Sequence, residues 1–518
     1  MGDEAAGKPP VVILREETNV TSGTAVQEKL ITAARVFADL LRPTYGPRGL
    51  DKMLYKTDGT TAVTNDGAKI VAELMVKHPA AKMFVAMAES QENSCGDGVT
   101  GTLLLSAELL LEAGRLLTKG LHPLTIVDGY NAACTTALDT VSTLATPSTP
   151  ESLEEVAITS LTGKGAEGAA PVLSKMIVGA LETVEGDTDH ITMHKTNIGS
   201  LSDSNILHGI VVRRRILLDS LPSLIDDAKV ATINGDLGPR KQIRTASIEI
   251  EEASQLDAFL EAEDETRDAL AETLLASGAN VYLCSGSVDK GLLHRLMRAG
   301  CFAAGEFDDS ELRNASLATG SRIIEHLADI TPDDVGLAGR LLTERRAATD
   351  QVEDIIRLES CPSSKVVTFE IGGANNLAAE EAIRAIHDAL RSTGLAMQPN
   401  RLVDGGGATH MACALAIREA AEHEAGRNRL AMEAFARALE VIPSTLAQNA
   451  GTDALDRILE LRAAHRNGVR DAGINTQGEV SPTGAKEAAQ SLESALSAAT
   501  ETCSSMLRID QVVSARGD

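Results

Sequence analysis

Residues 24–42, TAVQEKLITAARVFADLLR, set Val26, Leu30, Ala33, Phe37, Leu40 and Leu41 on one stripe at helical spacing. The pattern stops at PTYGPRG, a turn built on proline and glycine. MLYKTDGTTAVTNDGAKIVAEL then reads as a hairpin around DG, followed by an NDG turn into a helix. Long apolar helices are expected near 79–92 and 99–117, and others at 123–146 and 151–160. The first 145 residues are therefore mostly α.

From about 187 to 250 the period changes. Short β-like runs follow one another: ITMHK, GIVVRRRILL, KVATING and ASIEIEE. A charged helix at 252–276, the run GANVYLCSG, a helix at 288–299, then CFAAGEF and GSRIIEHL complete a strand–helix alternation that predicts an α/β domain over 213–362. SKVVTFEIGG is a further strand and LAAEEAIRAIHDALRSTG a long helix. From 403 the α-rich pattern returns, and MLRIDQVVSARGD ends the chain on a candidate strand. The fold class is multidomain, α and α/β: two helical blocks form a discontinuous outer domain around an insert.

Length agrees, since 518 residues exceed one compact core and suggest two to four domains. No run of eighteen apolar residues and no charged-then-apolar leader occur, so a membrane partner is not expected and the cytoplasm is. The seven cysteines are scattered without a CxxC pair, which argues against a disulfide framework or a zinc site. The formal charge is -26, and the acids are dispersed rather than gathered in a tail. That balance, with no Trp and few Tyr or Phe for base stacking, sets nucleic acid aside. Arginines outnumber lysines two to one. A solvated acidic surface with few lysine stems suggests a protein kept soluble in high salt.

Candidate chemistry sits at three glycine-bearing turns: TYGPRG (44–49), CGDGVTG (95–101) and DGGGATH (404–410). Glycine lets backbone N–H groups approach a ligand, and a helix start adds partial positive charge, so the three together can cradle phosphates. No GxxxxGK[ST] loop, HExxH or GxSxG motif is present. Asp97, the lone acid between Gly96 and Gly98, fits a cation that bridges phosphates, with Gly98, Val99 and Thr100 presenting N–H groups. Asp66 in TNDG and Asp388 in AIHDAL are candidates to orient an attacking water. Lys164, between two glycines in TGKGAE, can reach a terminal phosphate. Each also has an ordinary reading: Asp66 a turn residue, Asp97 an N-cap, Asp388 an exposed helix acid, Lys164 a solvated loop lysine. Spacing alone does not bring 66, 97 and 388 together.

The chain resembles the group II chaperonins, the archaeal thermosomes and the eukaryotic cytosolic chaperonin. TSGTAVQEKLITAARVFADLLRPTYGPRGLDKML is similar to the family opening with its GPKGMDKML, VTNDGAKIVAELMVKHPAAKM to VTNDGATI…HPAAKM, and GDGVT to GDGTT. TGKGAE, GGGAT, QNAGTDALDRILELRAAH and LRIDQVV follow in family order. The acidic, lysine-poor composition resembles a haloarchaeal thermosome subunit.

The resemblance implies an equatorial ATP-binding domain (1–145 and 400–518), an intermediate hinge domain (146–212 and 363–399) and an apical client-binding domain (213–362) with a built-in helical lid around 252–276. It implies ATP or ADP with Mg²⁺, K⁺ being a further candidate, and hydrolysis that drives lid closure over unfolded protein clients. Like or paralogous subunits would form a hexadecameric-type double ring, with the chain ends and the 54–64 hairpin adding to a neighbour's sheet. By the same resemblance Thr44, Gly46, Pro47, Gly98, Val99, Thr100, Gly163, Lys164, Gly406 and Ser481 bind nucleotide. Asp97 takes the Mg²⁺, and Asp66 and Asp388 position the water.

Departures from the family pattern exist. Val99 and Gly101 stand where hydroxyls are usual, Lys69 replaces a Thr, and Ser481 stands where an acid precedes the proline. The stretch GINTQGEVSPTGAKEAAQSLESA is short, and a glycine- and methionine-rich tail is lacking. The alternative reading is therefore a weakly or non-hydrolysing structural paralogue in mixed rings. A small-substrate kinase would need a second pocket that the sequence does not display.

Overall fold

The computed structural model describes residues 19–55, 61–74, 79–196, 199–239, 253–347, 352–362, 364–373, 376–399 and 401–514. The chain clusters into two compact units, one formed by residues 1–170 with 385–518 and the other by 171–384. The cuts fall inside the two segments assigned above to a hinge. Among the described residues no helix is long and apolar enough to cross a membrane.

The first unit is helical. The stripe expected at 24–42 forms the helix Thr24–Leu41, with Val26, Leu30, Phe37 and Leu41 buried. The other expected helices appear as Pro79–Cys95, Val99–Thr118, Pro123–Leu144 and Pro150–Leu161. The Val99–Thr118 helix is apolar nearly all round, and its Leu103, Leu104, Leu105 and Leu109 are among the most buried side chains. A helix with no polar face belongs at the centre of a bundle. Around it pack Thr24–Leu41, Asn428–Leu439 and Ala489–Leu507, while Ala408–His423 packs on Asn428–Leu439 and Pro123–Leu144; Ile417, Phe435, Leu496 and Met506 join the same core. LAMEAFARALEVIPSTLAQNAG makes two helices, Asn428–Leu439 and Val441–Asn449, that part at Glu440. Pro443 lacks an N–H and sits in the first turn of the second, where none is needed.

The hairpin expected around DG pairs Lys52–Tyr55 with Thr61–Thr64, and its turn lies outside the described residues. The candidate terminal strand is Gln511–Ser514, antiparallel to Asn19–Ser22. Among the described residues each of these sheets has two strands.

The second unit is α/β. Its largest sheet runs Ile210–Arg213, Val352–Glu359, Gly336–Ala347, Leu224–Ile233, Val281–Cys284, Phe302–Ala304, with Ile323–Ile324 also on Leu224–Ile233. Pairing is antiparallel up to Leu224–Ile233 and parallel beyond it, where the helix Lys290–Arg298 connects strands. A smaller sheet joins Ile191–Lys195, Val367–Ile371 and Asn205–His208. GIVVRRRILL is strand only as far as Arg213, and the side chain of Asp354 captures the Ile216 N–H at 2.7 Å. The charged helix is described from Ala253 to Ala276 and buries Ala271 and Leu274 near its end. ASIEIEE lies outside the described residues.

Candidate active site

Every site residue expected from the sequence lines one cavity of about 640 Å³ in the first unit. Thr44, Gly46 and Pro47 come from the turn after the first helix; Asp97, Gly98, Val99 and Thr100 from the start of Val99–Thr118. Gly163 and Lys164 follow the Pro150–Leu161 helix, Gly406 precedes Ala408–His423, and Ser481 lies in the strand Val480–Pro482. Asp66 and Asp388, 322 positions apart by number, line the same space.

Local chemistry explains the placement. Gly98 takes a left-handed φ of 84° and leaves the Val99–Thr118 helix without a side-chain cap. Gly407, at φ 80°, does the same for Ala408–His423. The Val99–Thr118 start therefore keeps its first N–H groups free of side-chain caps at the cavity, which suits an anion, whereas the first N–H of Ala408–His423 bonds the Gly405 carbonyl at 3.2 Å. Asp97 is not the N-cap. Its Oδ1 accepts from the Gly98 N–H at 2.7 Å and its Oδ2 from the Ser160 hydroxyl at 2.8 Å. Asp66 does cap a helix, accepting from Ala68 N–H at 2.9 Å, which fixes one oxygen and the side-chain direction. Asn65 next to it donates to the Gly163 carbonyl at 2.5 Å and ties the Asp66 turn to the Lys164 turn. Gly163, at φ 79°, rests its Cα on the Gly46–Pro47 turn; a Cβ there would lie 2.9 Å from the Gly46 carbonyl oxygen.

Lys164 is not a solvated loop lysine and Asp388 is not an exposed helix acid. Their side chains are 16% and 17% exposed, and Lys164 Nζ lies 2.5 Å from Asp388 Oδ2. Burial opposes the charge on Lys164, but Asp97, Asp388 and Asp66 outweigh it and raise its pKa. Burial pushes the Asp388 carboxyl upward too, with Lys164 pulling it back. The helix that carries Asp388 is held by Arg391, which donates to the carbonyls of Glu92 and Asn93 at 3.1 and 2.9 Å.

The sequence reading missed several contributors. Ser160 orients Asp97 although nothing around TSLTGKG distinguishes it from a helix-surface serine. Gln91 donates to the carbonyls of Asp97 and Ser491, both at 3.3 Å, and so fixes the loop from below. Glu92 and Glu487 add two carboxyls to the cavity. Burial, followed by Asp66 and Asp97, raises Glu92 above the usual carboxylate range. Burial and Asp97 push Glu487 up to about 7 against a hydrogen bond from the Gly406 backbone. Two expected residues offer less than assumed. The Thr44 hydroxyl is engaged by its own donation to the Leu41 carbonyl at 2.8 Å, and the Ser481 hydroxyl accepts from Asn475 at 3.2 Å.

A cavity with one uncapped helix start, several acids and one buried lysine suits a phosphate chain carried with a cation. The TCP-1/cpn60 chaperonin family model matches residues 37–517. Thermosome subunit beta of Archaeoglobus fulgidus is 36% identical over 523 aligned positions, covering 98% of this chain and 95% of that protein. The thermosome subunit of Methanopyrus kandleri is also 36% identical, over 98% of this chain and 95% of its own. Thermosome subunit alpha of Halobacterium salinarum is 34% identical over 98% of this chain and 92% of its own. The chain belongs to the TCP-1/cpn60 chaperonin family and is a group II chaperonin subunit. ATP-dependent protein folding in double rings is the work of that family, whose members are in general ATPases that bind nucleotide.

Proposed function

We propose that this subunit hydrolyses Mg²⁺-ATP in the cavity described above and uses the cycle to close a lid over unfolded clients. The observation that carries the reading is the convergence of Asp66, Asp97, Lys164 and Asp388 on the uncapped start of Val99–Thr118. Thr100, Gly101 and the left-handed glycines bring backbone N–H groups to the phosphates. Gly46, Pro47, Gly406 and Ser481 flank the remainder of the nucleotide. Asp97 is the metal ligand. Among the described residues no group of three or more His, Cys, Asp or Glu side chains can hold a metal, so a cation at Asp97 would need phosphate and water oxygens as its further ligands. Bound Mg²⁺ neutralises charge on the phosphates during transfer. K⁺ is a further candidate in the same acidic cavity.

Asp388 and Asp66 orient the attacking water and take its proton. Lys164 leaves Asp388 when a terminal phosphate arrives, which frees that carboxylate for the water. Pairing with Lys164 before nucleotide binds keeps a buried carboxylate compensated.

The division into equatorial (1–145, 400–518), intermediate (146–212, 363–399) and apical (213–362) domains is part of the proposal, as are the lid around 252–276 and the hexadecameric-type double ring. Open two-stranded sheets at Asn19–Ser22 with Gln511–Ser514 and at the 52–64 hairpin support assembly, since unpaired edges recruit strands. Met53 and Tyr55 are exposed on that hairpin. A cytoplasmic, salt-rich setting fits the charge of -26.

A second reading, a weakly hydrolysing paralogue of mixed rings, draws on the first turn of Val99–Thr118. Val99 is buried in the core and Gly101 has no side chain, so neither offers a hydroxyl. Turnover of ATP by the purified protein in high-potassium buffer, with Asp388→Ala alongside, separates the two. Turnover that Asp388→Ala abolishes supports hydrolysis; equal background rates for both proteins favour the paralogue.

A further inference from the structure

The cavity is rich in acids, and its two lysines are already paired: Lys164 with Asp388 and Lys486 with Asp404, each at 2.5 Å. An entering anion must therefore be met largely by neutral donors. Most hydroxyls on the wall are turned to protein acceptors. Thr44 donates to Leu41, Ser160 to Asp97, Thr159 to Glu155 and Thr162 to Ile158. Tyr45, like Thr100 and Ser392, lines the cavity with a hydroxyl that has no hydrogen-bond partner among the described residues, and it alone of the three is a phenol on a rigid ring.

The phenol is held in place at both ends. Asn449 donates to the Tyr45 and Arg42 carbonyls, both at 2.8 Å, which fixes the backbone. The ring lies against the first turn of the Val99–Thr118 helix, where a Cβ on Gly101 would stand 3.5 Å from both Tyr45 Cε2 and Tyr45 Oη. At that spacing the hydroxyl is in van der Waals reach of the helix start. Burial, then Glu487 and Asp97, raise the phenol pKa, so it stays a protonated donor.

We propose that the Tyr45 hydroxyl is a positioning group for the nucleotide, donating a hydrogen bond to a phosphate oxygen held at the start of the Val99–Thr118 helix. The inference rests on the nucleotide-site reading above. It assigns Tyr45 a donor role beside a helix turn in which Val99 and Gly101 carry no hydroxyl. A hydrogen bond to an ionised oxygen is stronger than one between neutral groups.

Tyr45→Phe tests this, since it keeps the ring against Gly101 and removes only the hydroxyl. Calorimetric titration of the intact protein with ADP and Mg²⁺, and separately with adenosine, reads the phosphate contribution. ADP binding weaker by about tenfold or more, with adenosine unchanged, is the expected result. In turnover the same variant should raise KM and change kcat less. ADP affinity within twofold of the parent would overturn the inference, and an equal loss for adenosine would assign Tyr45 to packing instead. Failure of the parent protein to bind ADP at all would overturn the nucleotide-site reading itself, and this inference with it.

Discussion

Lys164 Nζ sits 2.5 Å from Asp388 Oδ2, although the two residues are 224 positions apart. The ammonium proposed to meet a terminal phosphate is occupied by the carboxylate proposed to meet the water. Nucleotide therefore competes with Asp388 for Lys164. Asp388→Asn should keep the shape and the hydrogen bond while removing the base. We expect kcat to fall by about a hundredfold or more while KM falls as the competition for Lys164 is eased, as measured by steady-state ATP turnover.

Gly67 opens the helix that Asp66 caps and lies tight against Thr100. A Cβ there would collide with the Thr100 hydroxyl and stand 3.2 Å from Thr100 Cα. Gly67→Ala should push the phosphate-facing turn out of place. The expected cost is about 1–3 kcal/mol of stability by denaturant unfolding, typical of overpacking, with a raised KM for ATP. An unchanged KM would show that the turn tolerates the shift.

Glu487 titrates at about 7 in the folded protein because burial and Asp97 disfavour its charge. Between its ordinary value near 4.5 and about 7, the folded state keeps a proton that the unfolded chain has released. This group therefore costs stability as pH rises through that window, and the full cost is present above it. Glu487→Gln removes the charge at every pH. Its Tm relative to the parent should rise from pH 5 to pH 8, as followed by thermal melts at both.

A formal charge of -26 puts self-repulsion into the folded state. Screening by concentrated salt removes most of it, since the Debye length falls to about 3 Å at 1 M. The Tm should rise between about 0.1 and 2 M KCl, a plain melting series being enough to check it. A flat or falling series would remove the salt-adapted reading.

Much of this protein was legible before its structure. Apolar periodicity located the Thr24–Leu41 and Val99–Thr118 helices to within a residue or so, because a buried stripe must repeat at the helical period whatever it packs against. The glycine turns at 44–49, 95–101 and 404–410 were visible as such because close backbone approach leaves few alternatives to glycine. Motif order along the chain was enough to mark the chaperonin resemblance. Strand ends were less legible: GIVVRRRILL stops at Arg213, and the Ile216 N–H beyond it goes to the side chain of Asp354, far along the chain.

Burial and charge partners were decided by tertiary structure alone. Asp388 reads as a surface acid on an amphipathic helix, and Lys164 as a loop lysine, until folding brings them together. Ser160, Glu92 and Glu487 carry no motif, and TYGPRG was read for its glycines and not for Tyr45; all four matter because each faces the same cavity. Periodicity reports which face of an element is buried, a local property written in neighbouring residues. Which acid meets which base depends on chain separated by hundreds of positions, and only the packed fold sets that distance.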